Sequence, residues 1–276
     1  MINKYLAIFL FFSLLFYSDI VLAQSQNSVK LKVPYTSEIP NGSWVKPWNN
    51  ACEEASIVMA KGYYFGYKTI TKKIAAADMF PLFKIEDKIF GRNDDTDAAQ
   101  TAKLINDYTD VVAKIKQNPT VEEIKNELDA GRPVIPMLYM KNIVNKNHRF
   151  RAGGSYYHVF IIIGYDDNTK EFITNDNGDP ITGAGLRYKY DEIMKNLHDF
   201  NHKTKRADGP ARVLFTDSKV LFKVKNDPKV YLIRHDTKHH IVSSDVFKKN
   251  GWKWKKIHVV DQKRLDSFKT GDPISS

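Results

Sequence analysis

Apolar residues at helical spacing predict helices in the first half of the chain. The run that begins at Cys52 follows Asn50, a favoured N-cap residue, and has two glutamates in its first turn. We therefore expect Cys52 in the first turn of a helix that Asn50 caps. Similar patterns predict helices over 97–108, capped by Asp95 or Thr96, over 122–130 behind a capping box of Thr120 and Glu123, and over 191–197.

Short apolar runs bounded by turn residues predict strands. Residues 31–35 and 133–140 form two such runs. The strongest run is 158–165 (HVFIIIGY), which is apolar on both faces, and residues 170–176 return beside it as the second strand of a hairpin.

The hairpin predicts a partner for His158, the one polar residue that opens the apolar run. If the turn centres on Asp167, His158 faces Asp176, and a register slip of one residue brings Asn175 or Asn177 there instead. An acidic or amide group at that place can hold the orientation of an imidazole, as in a catalytic triad. The alternative is a strand-end histidine bonded to a turn.

A polar and basic stretch at 201–210 (NHKTKRADGP) marks a candidate domain boundary. We expect one domain over residues 30–210 and a small α+β module of short strands over 211–276. A module of this size is too small to build a strong core alone, so we expect it to pack on the first domain.

The first residues have the pattern of a secretory signal peptide. Lys4 gives a short positive region, residues 5–17 are almost wholly apolar, and Asp19 interrupts the run before the roughly 20 residues that a spanning helix needs. We expect residues 1–23 to be removed after Ala23, which places the protein in the periplasm or the medium without stable membrane insertion. The alternative is an uncleaved anchor.

Composition narrows the classes of partner. The 276 residues are 42% hydrophobic and carry a net charge of +10. A basic surface outside the cell suits anionic cell-wall polymers or anionic lipid, although solubility alone explains it equally well. No nucleic-acid recognition motif is present, and we expect no such partner.

Cys52 is the single cysteine, so no intramolecular disulfide can form. It is half of an intermolecular bridge, a reactive thiol or a buried inert thiol. A helix N-terminus and a nearby imidazolium both lower the pKa of a thiol. Among the eight histidines, His158 is the candidate for the imidazolium that would lie beside Cys52.

Four segments together resemble one known family. VPYTSEIPNGSWVKPWNNACEEASIVMAKGYY, DTDAAQTAKLI, NPTVEEIKNELDAGRPVI and YYHVFIIIGYDDNTKEFITND resemble, in this order, the bacteriocin-processing-type (double-glycine leader) peptidase-like family of papain-like cysteine peptidases. The resemblance implies an α+β papain-like fold, in which a helix carrying the nucleophile packs on an antiparallel sheet. It also implies Cys52 as nucleophile, His158 as general base and Asp176 as orienting acid, with a peptide or protein substrate, no cofactor and no metal.

The chain departs from that family at Glu38, where the family usually has glutamine. The glutamine donates an N–H to the oxyanion, whereas an ionised glutamate cannot donate and repels the developing charge. Either Glu38 is protonated, or Asn49 or Asn50 substitutes beside the main-chain N–H of Cys52, or the enzyme is weak. Two alternatives to a peptidase remain. The basic surface and the C-terminal module suit a peptidoglycan-directed amidase or endopeptidase, and Glu38 favours a catalytically weak envelope-binding protein.

Other polar and aromatic clusters have ordinary structural explanations. Trp44 and Trp48 line a substrate cleft or pack in the core. The acidic turn Asp166–Asn168 resembles a calcium loop, but hairpin turns favour the same residues. A histidine group resembles a metal site, but the turn between two strands explains it as hairpin surface; its members are His235, His239 and His240.

Overall fold

The computed structural model describes residues 27–143, 157–234 and 237–276. The expected signal peptide, most of the polar loop before His158, and His235 lie outside these ranges. Across the described residues, no helix has the length and apolar character needed to cross a membrane.

An antiparallel sheet forms the centre of the molecule. Its hydrogen-bonded order is β2-β8-β3-β5-β6-β7, with β1 on β5 and β4 on β3. The strands are β1 (Ser28–Lys30), β2 (Val111–Gln117), β3 (Val134–Leu138), β4 (His158–Val159), β5 (Ile161–Asp166), β6 (Glu171–Asn175), β7 (Ala184–Lys189) and β8 (Arg212–Ser218).

Helices cover both faces of this sheet. Ile161 and Ile163 of β5 join the apolar cluster that contains α1 and α3, while Ile162 joins the cluster that contains α4 and α5. This explains why the run is apolar on both faces, as the sequence predicts. The helices are α1 (Cys52–Tyr64), α2 (Lys72–Phe90), α3 (Ala98–Tyr108), α4 (Val121–Asp129) and α5 (Tyr190–Lys195).

A second, five-stranded sheet follows in the described part of the C-terminal region, in the order β12-β9-β10-β11-β13. Phe222 and Phe268 from this region lie in the same apolar cluster as α1, so the two sheets share a core. The elements are β9 (Leu221–Val224), β10 (Tyr231–Arg234), β11 (Thr237–His240), α6 (Ser244–Lys249), β12 (Ile257–Val260), α7 (Gln262–Asp266) and β13 (Lys269–Thr270).

The predicted boundary at residue 210 falls before the last strand of the first sheet. Strand β8 lies between β2 and β3 in the first sheet, although the prediction assigned it to the C-terminal module. The polar stretch before it is a loop, whose Asn201 and Arg206 form a β-bridge. The second sheet begins at Leu221, so the change between the sheets falls after Ser218.

Several local predictions also need correction. Asn50 does not cap α1: it ends a 3-10 turn over Trp48–Asn50, and the N-cap is Ala51, which has no side-chain oxygen. Asp97, rather than Asp95 or Thr96, caps α3. Residues 31–35 form no strand, because pairing with β5 ends at Lys30. The capping box of Thr120 and Glu123 is confirmed.

Candidate active site

Cys52 is the first residue of α1, where the helix dipole is positive. Its side chain is buried, and Sγ donates a hydrogen bond to Oε2 of Glu53 at 3.0 Å. Burial raises the pKa of the thiol well above its ordinary value, and the nearby Glu53, Glu38 and Asp95 add to the rise. The side chain of Cys52 is therefore a neutral thiol, and the helix dipole alone does not ionise it.

His158 and Asp176 form a buried pair. Nε2 of His158 lies 2.8 Å from Oδ1 of Asp176. The carboxylate is itself held, since Oδ2 accepts from the Tyr188 hydroxyl at 2.5 Å and Oδ1 from the Gly178 N–H at 3.1 Å. Burial opposes the charged imidazole, but the charge and hydrogen bond of Asp176 outweigh it, and the pKa of His158 is raised. Asp176 thus orients the ring and stabilises its imidazolium form.

The contact between His158 and Asp176 does not come from the cross-strand pairing that the sequence predicts. Asp166 pairs with Glu171 and Ile162 with Thr174, and the register shifts between Ile162 and Gly164, so facing residues are not equidistant from Asp167. His158 instead pairs with Leu138 on β3. Asp176 follows the last residue of β6 and reaches the histidine from beyond the end of the strand.

Asn177 joins the nucleophile helix to the histidine strand. Its Nδ2 donates to the carbonyl of Cys52 at 2.8 Å and to the carbonyl of Val159 at 3.0 Å. Ser56, one turn along α1, lies 3.0 Å from the same nitrogen. Asn177 is fully buried, so these bonds are shielded from water. One amide therefore sets the distance between the backbone of Cys52 and the residue after His158.

The loop before α3 makes a second link across the site. The N–H of Thr96 donates to Oε1 of Glu53 at 2.8 Å, and the hydroxyl of Tyr157 donates to the carbonyl of Thr96 at 2.8 Å. Thr96 is thereby bonded to the residue after Cys52 and to the residue before His158. The two catalytic candidates are held from both sides.

Glu38 lies against the same centre. Its main-chain N–H donates to the carbonyl of Asn177 at 3.0 Å, and its carboxylate accepts from the N–H of Ala51, the residue before Cys52. Burial raises the pKa of Glu38 to about 8; His158 opposes the rise and Asp176 adds to it. At neutral pH the side chain is therefore mostly a neutral acid with an O–H to donate.

The other acidic side chains around Cys52 are also buried. Burial raises the pKa of Glu53 and of Glu54 well above the ordinary value, and each is raised further by a neighbouring carboxyl. When Glu53 holds its proton, its repulsion of a thiolate at Cys52 is removed. In the described ranges, no group of three or more His, Cys, Asp or Glu side chains is arranged to hold a metal ion.

The remaining sequence candidates lie elsewhere or are already bonded. The side chain of Asn50 makes no hydrogen bond with any described residue. Trp48 packs edge-on against Phe83 at 5.2 Å between ring centroids, whereas Trp44 is exposed. His239 is bonded to the carbonyl of Asp272, and His240 packs beside Tyr231. The turn carboxylates Asp166 and Asp167 pair with Arg187 and Lys125.

This geometry agrees with a match to a protein-family model. The model of the Peptidase C39-like family matches residues 30–206, and the chain belongs to this family. The fold is α+β, with the helix that begins at Cys52 packed on an antiparallel sheet, as predicted.

Two solved structures are similar to the chain. One is described as a C39-like peptidase from Bacillus anthracis, with 14% identity, a TM-score of 0.44, and coverage of 68% of this chain and 96% of that one. The other is xylellain, a cysteine protease from Xylella fastidiosa, with 12% identity, a TM-score of 0.31, and coverage of 69% and 85%. No curated protein sequence matches the chain.

Proposed function

We propose that this protein is an exported cysteine peptidase that cleaves amide bonds through Cys52, His158 and Asp176. The observation that carries the proposal is the buried 2.8 Å contact of His158 with Asp176, tied by Asn177 to the first residue of the nucleophile helix. Family membership supports a cysteine peptidase. The apolar N-terminal segment supports export.

The chemistry begins with transfer of the Cys52 proton to His158, since Asp176 favours the imidazolium. Sγ then attacks the substrate carbonyl carbon and its electron pair forms the new bond, which gives a tetrahedral oxyanion. Collapse of this intermediate breaks the amide bond, and the amine leaves with the proton of His158. Water, deprotonated by His158, then attacks the thioester carbonyl carbon. The C–S bond breaks, the acid leaves, and the Cys52 thiolate takes the proton back from His158.

The oxyanion takes two donors in this proposal. The N–H of Cys52 belongs to the first residue of a helix, and such groups have no acceptor within the helix. The second donor is the protonated carboxyl of Glu38, in place of the amide that the resembled family has there. A neutral acid in a buried site donates as an amide does, so the exchange of glutamine for glutamate preserves the function below the pKa of Glu38.

A catalytically weak binding protein is the second candidate. The raised pKa of Cys52 and its hydrogen bond to Glu53 favour it, because both hold the thiol in its unreactive form. Protonation of Glu53, which removes a charge that opposes the thiolate, has to precede attack in the peptidase.

Labelling with a thiol-reactive peptide electrophile separates the two candidates. The peptidase reacts rapidly at Cys52 near neutral pH, and His158→Ala slows the reaction by roughly a hundredfold, the usual loss for a general base. His239→Ala, which alters a histidine outside the site that is bonded to the carbonyl of Asp272, leaves the rate unchanged. Equal rates in wild type and His158→Ala would support the binding protein. Digestion of purified cell wall beside unrelated peptides then distinguishes a peptidoglycan-directed enzyme from a general peptidase.

A further inference from the structure

The second sheet carries a cleft of about 300 Å³ that no residue of the candidate active site lines. Its wall runs from Lys229 and Val230, at the start of β10, to His240 and Val242, at the end of β11, and Trp254 closes one side. The cleft therefore belongs to the C-terminal region alone, and the peptidase chemistry does not use it.

Trp254 is a fixed aromatic platform at the edge of this cleft. Its ring stacks on the buried ring of Phe247, with centroids 4.0 Å apart and planes at 18°. Even so, 55% of its surface is exposed. Val242, which also lines the cleft, is exposed as well. The cleft therefore presents apolar surface to solvent, and the stacking on Phe247 already holds the Trp254 ring in place. Exposed apolar surface that forms part of a cleft is typical of binding sites.

The charge of the chain is concentrated in the same region. Residues 219–276 contain fourteen Lys and Arg and six Asp and Glu, so they hold +8 of the net charge of +10. Lys253 and Lys255 flank Trp254 and are exposed, and Lys229 lies on the cleft wall. None of these three lysines has an ion pair with any described residue. Their charges are available to a ligand.

We propose that this cleft binds an anionic polysaccharide, with a sugar ring on Trp254 and acid groups of the polymer on Lys229, Lys253 and Lys255. The electron-rich face of an indole attracts the C–H face of a sugar ring. Several unpaired lysines around one platform match a polymer that carries a charge on each residue. The expected export of the chain favours a glycan over a nucleic acid, which has the same charge and also stacks on aromatic rings.

The binding does not depend on the proposed peptidase activity and is tested with the full-length Cys52→Ala chain. Hexagalacturonate is the probe, and its affinity is measured by calorimetry at low salt beside maltohexaose, hexaglutamate and a single-stranded DNA hexamer. Hexagalacturonate binds most tightly, because it alone joins sugar rings to a regular series of carboxylates. Trp254→Ala weakens its binding at least tenfold, while Trp254→Phe, which keeps a ring, loses less.

Matched controls separate this cleft from the general charge of the protein. Trp44→Ala removes a tryptophan of nearly equal exposure in the first domain, and Lys72→Ala with Lys73→Ala removes two exposed lysines at the start of α2. Both leave the affinity unchanged, whereas Lys253→Ala with Lys255→Ala lowers it and flattens its salt dependence. Equal effects in the control variants, tighter binding of hexaglutamate or DNA, or no binding of hexagalacturonate would each overturn the proposal.

Discussion

The side-chain amide of Asn177 donates a hydrogen bond to the main-chain carbonyl of Cys52 at 2.8 Å. The same nitrogen holds the carbonyl of Val159, the residue after His158. The separation of Cys52 and His158 therefore depends in part on a buried amide that touches neither Sγ nor the imidazole.

Asn177→Ala is expected to lower acylation about a hundredfold, since a small misplacement of reacting groups has an effect of this order. Asn175 provides a matched control: it is also buried, and it bonds the carbonyl of Val33 and the N–H of Gly185, away from Cys52. Asn175→Ala is expected to lose comparable stability, about 1–3 kcal/mol, with little loss of acylation rate in the folded fraction.

Single-turnover rates, corrected for the folded fraction from urea unfolding, compare the two variants. If they lose stability and acylation in the same proportion, Asn177 is only a structural residue and does not position the site.

The pKa of about 8 at Glu38 predicts an alkaline limit to activity. Above that pH the carboxylate repels the oxyanion, so wild-type acylation falls as pH rises through 8. Glu38→Gln keeps a neutral donor at every pH; the ratio of variant to wild-type rate therefore stays near one at pH 7 and reaches about ten at pH 9. Because Glu38 also raises the pKa of Cys52 and of His158, the thiol and imidazole titrations are measured in both proteins and the rates are corrected for them before the ratio is taken. A ratio independent of pH contradicts the oxyanion role.

The same group affects stability in a defined direction. Its pKa is raised in the folded protein, so folding takes up a proton between about pH 4.5 and 8. The stabilisation from Glu38 is complete below this window and is lost as pH rises through it. Glu38→Gln should therefore become progressively more stable relative to wild type from pH 4.5 to 8. Urea unfolding across that range measures the difference, and a constant difference would show that Glu38 titrates normally.

Glu53→Gln is expected to lower the pKa of Cys52, because it removes a carboxyl that opposes the thiolate while keeping an acceptor for the Thr96 N–H. Asp176→Asn should shift the pKa of His158 downward, since the charge of Asp176 supports the imidazolium. Ultraviolet thiolate absorbance and the pH dependence of alkylation report the first, and histidine NMR the second. An unchanged thiol pKa in Glu53→Gln would mean that burial, with Glu38 and Asp95, keeps Cys52 neutral without a contribution from Glu53.

Truncation tests the corrected boundary. A chain that ends at residue 210 lacks β8, leaves β2 and β3 without their common neighbour, and is not expected to fold. A chain that ends at residue 219 keeps the first sheet whole and should fold with lower stability, because Phe222 and Phe268 leave the shared core. Cooperative urea unfolding of the shorter chain would restore the boundary at 210.

The sequence predicts the elements that carry the site better than the contacts between them. Apolar periodicity locates α1 and the strands around His158, because their patterns are strong. It does not indicate α2, whose 19 residues include Pro81 in the interior. Nor does it place β8 in the first sheet, since strand order depends on distant pairing and a polar loop resembles a linker.

The same contrast between local elements and distant contacts applies to the candidate site. Asp176 is the correct neighbour of His158, although the pairs Asp166–Glu171 and Gly164–Ile173 centre the hairpin beyond Asp167, so the register used to find it is wrong. The sequence analysis indicates Asn177 only as an alternative partner of His158, if the hairpin register slips by one residue. Its contacts with Cys52 and Val159 require the folded arrangement of three separate segments, so no local pattern can reveal them.

The central claim is that Cys52 forms an acyl-enzyme with help from His158. The most direct measurement is intact mass spectrometry of the protein after rapid mixing with an activated peptide ester and acid quenching. Wild type should gain the mass of one acyl group on Cys52, Cys52→Ala none, and His158→Ala the same group about a hundredfold more slowly. An acyl group on another residue, or equal rates in wild type and His158→Ala, would contradict the account.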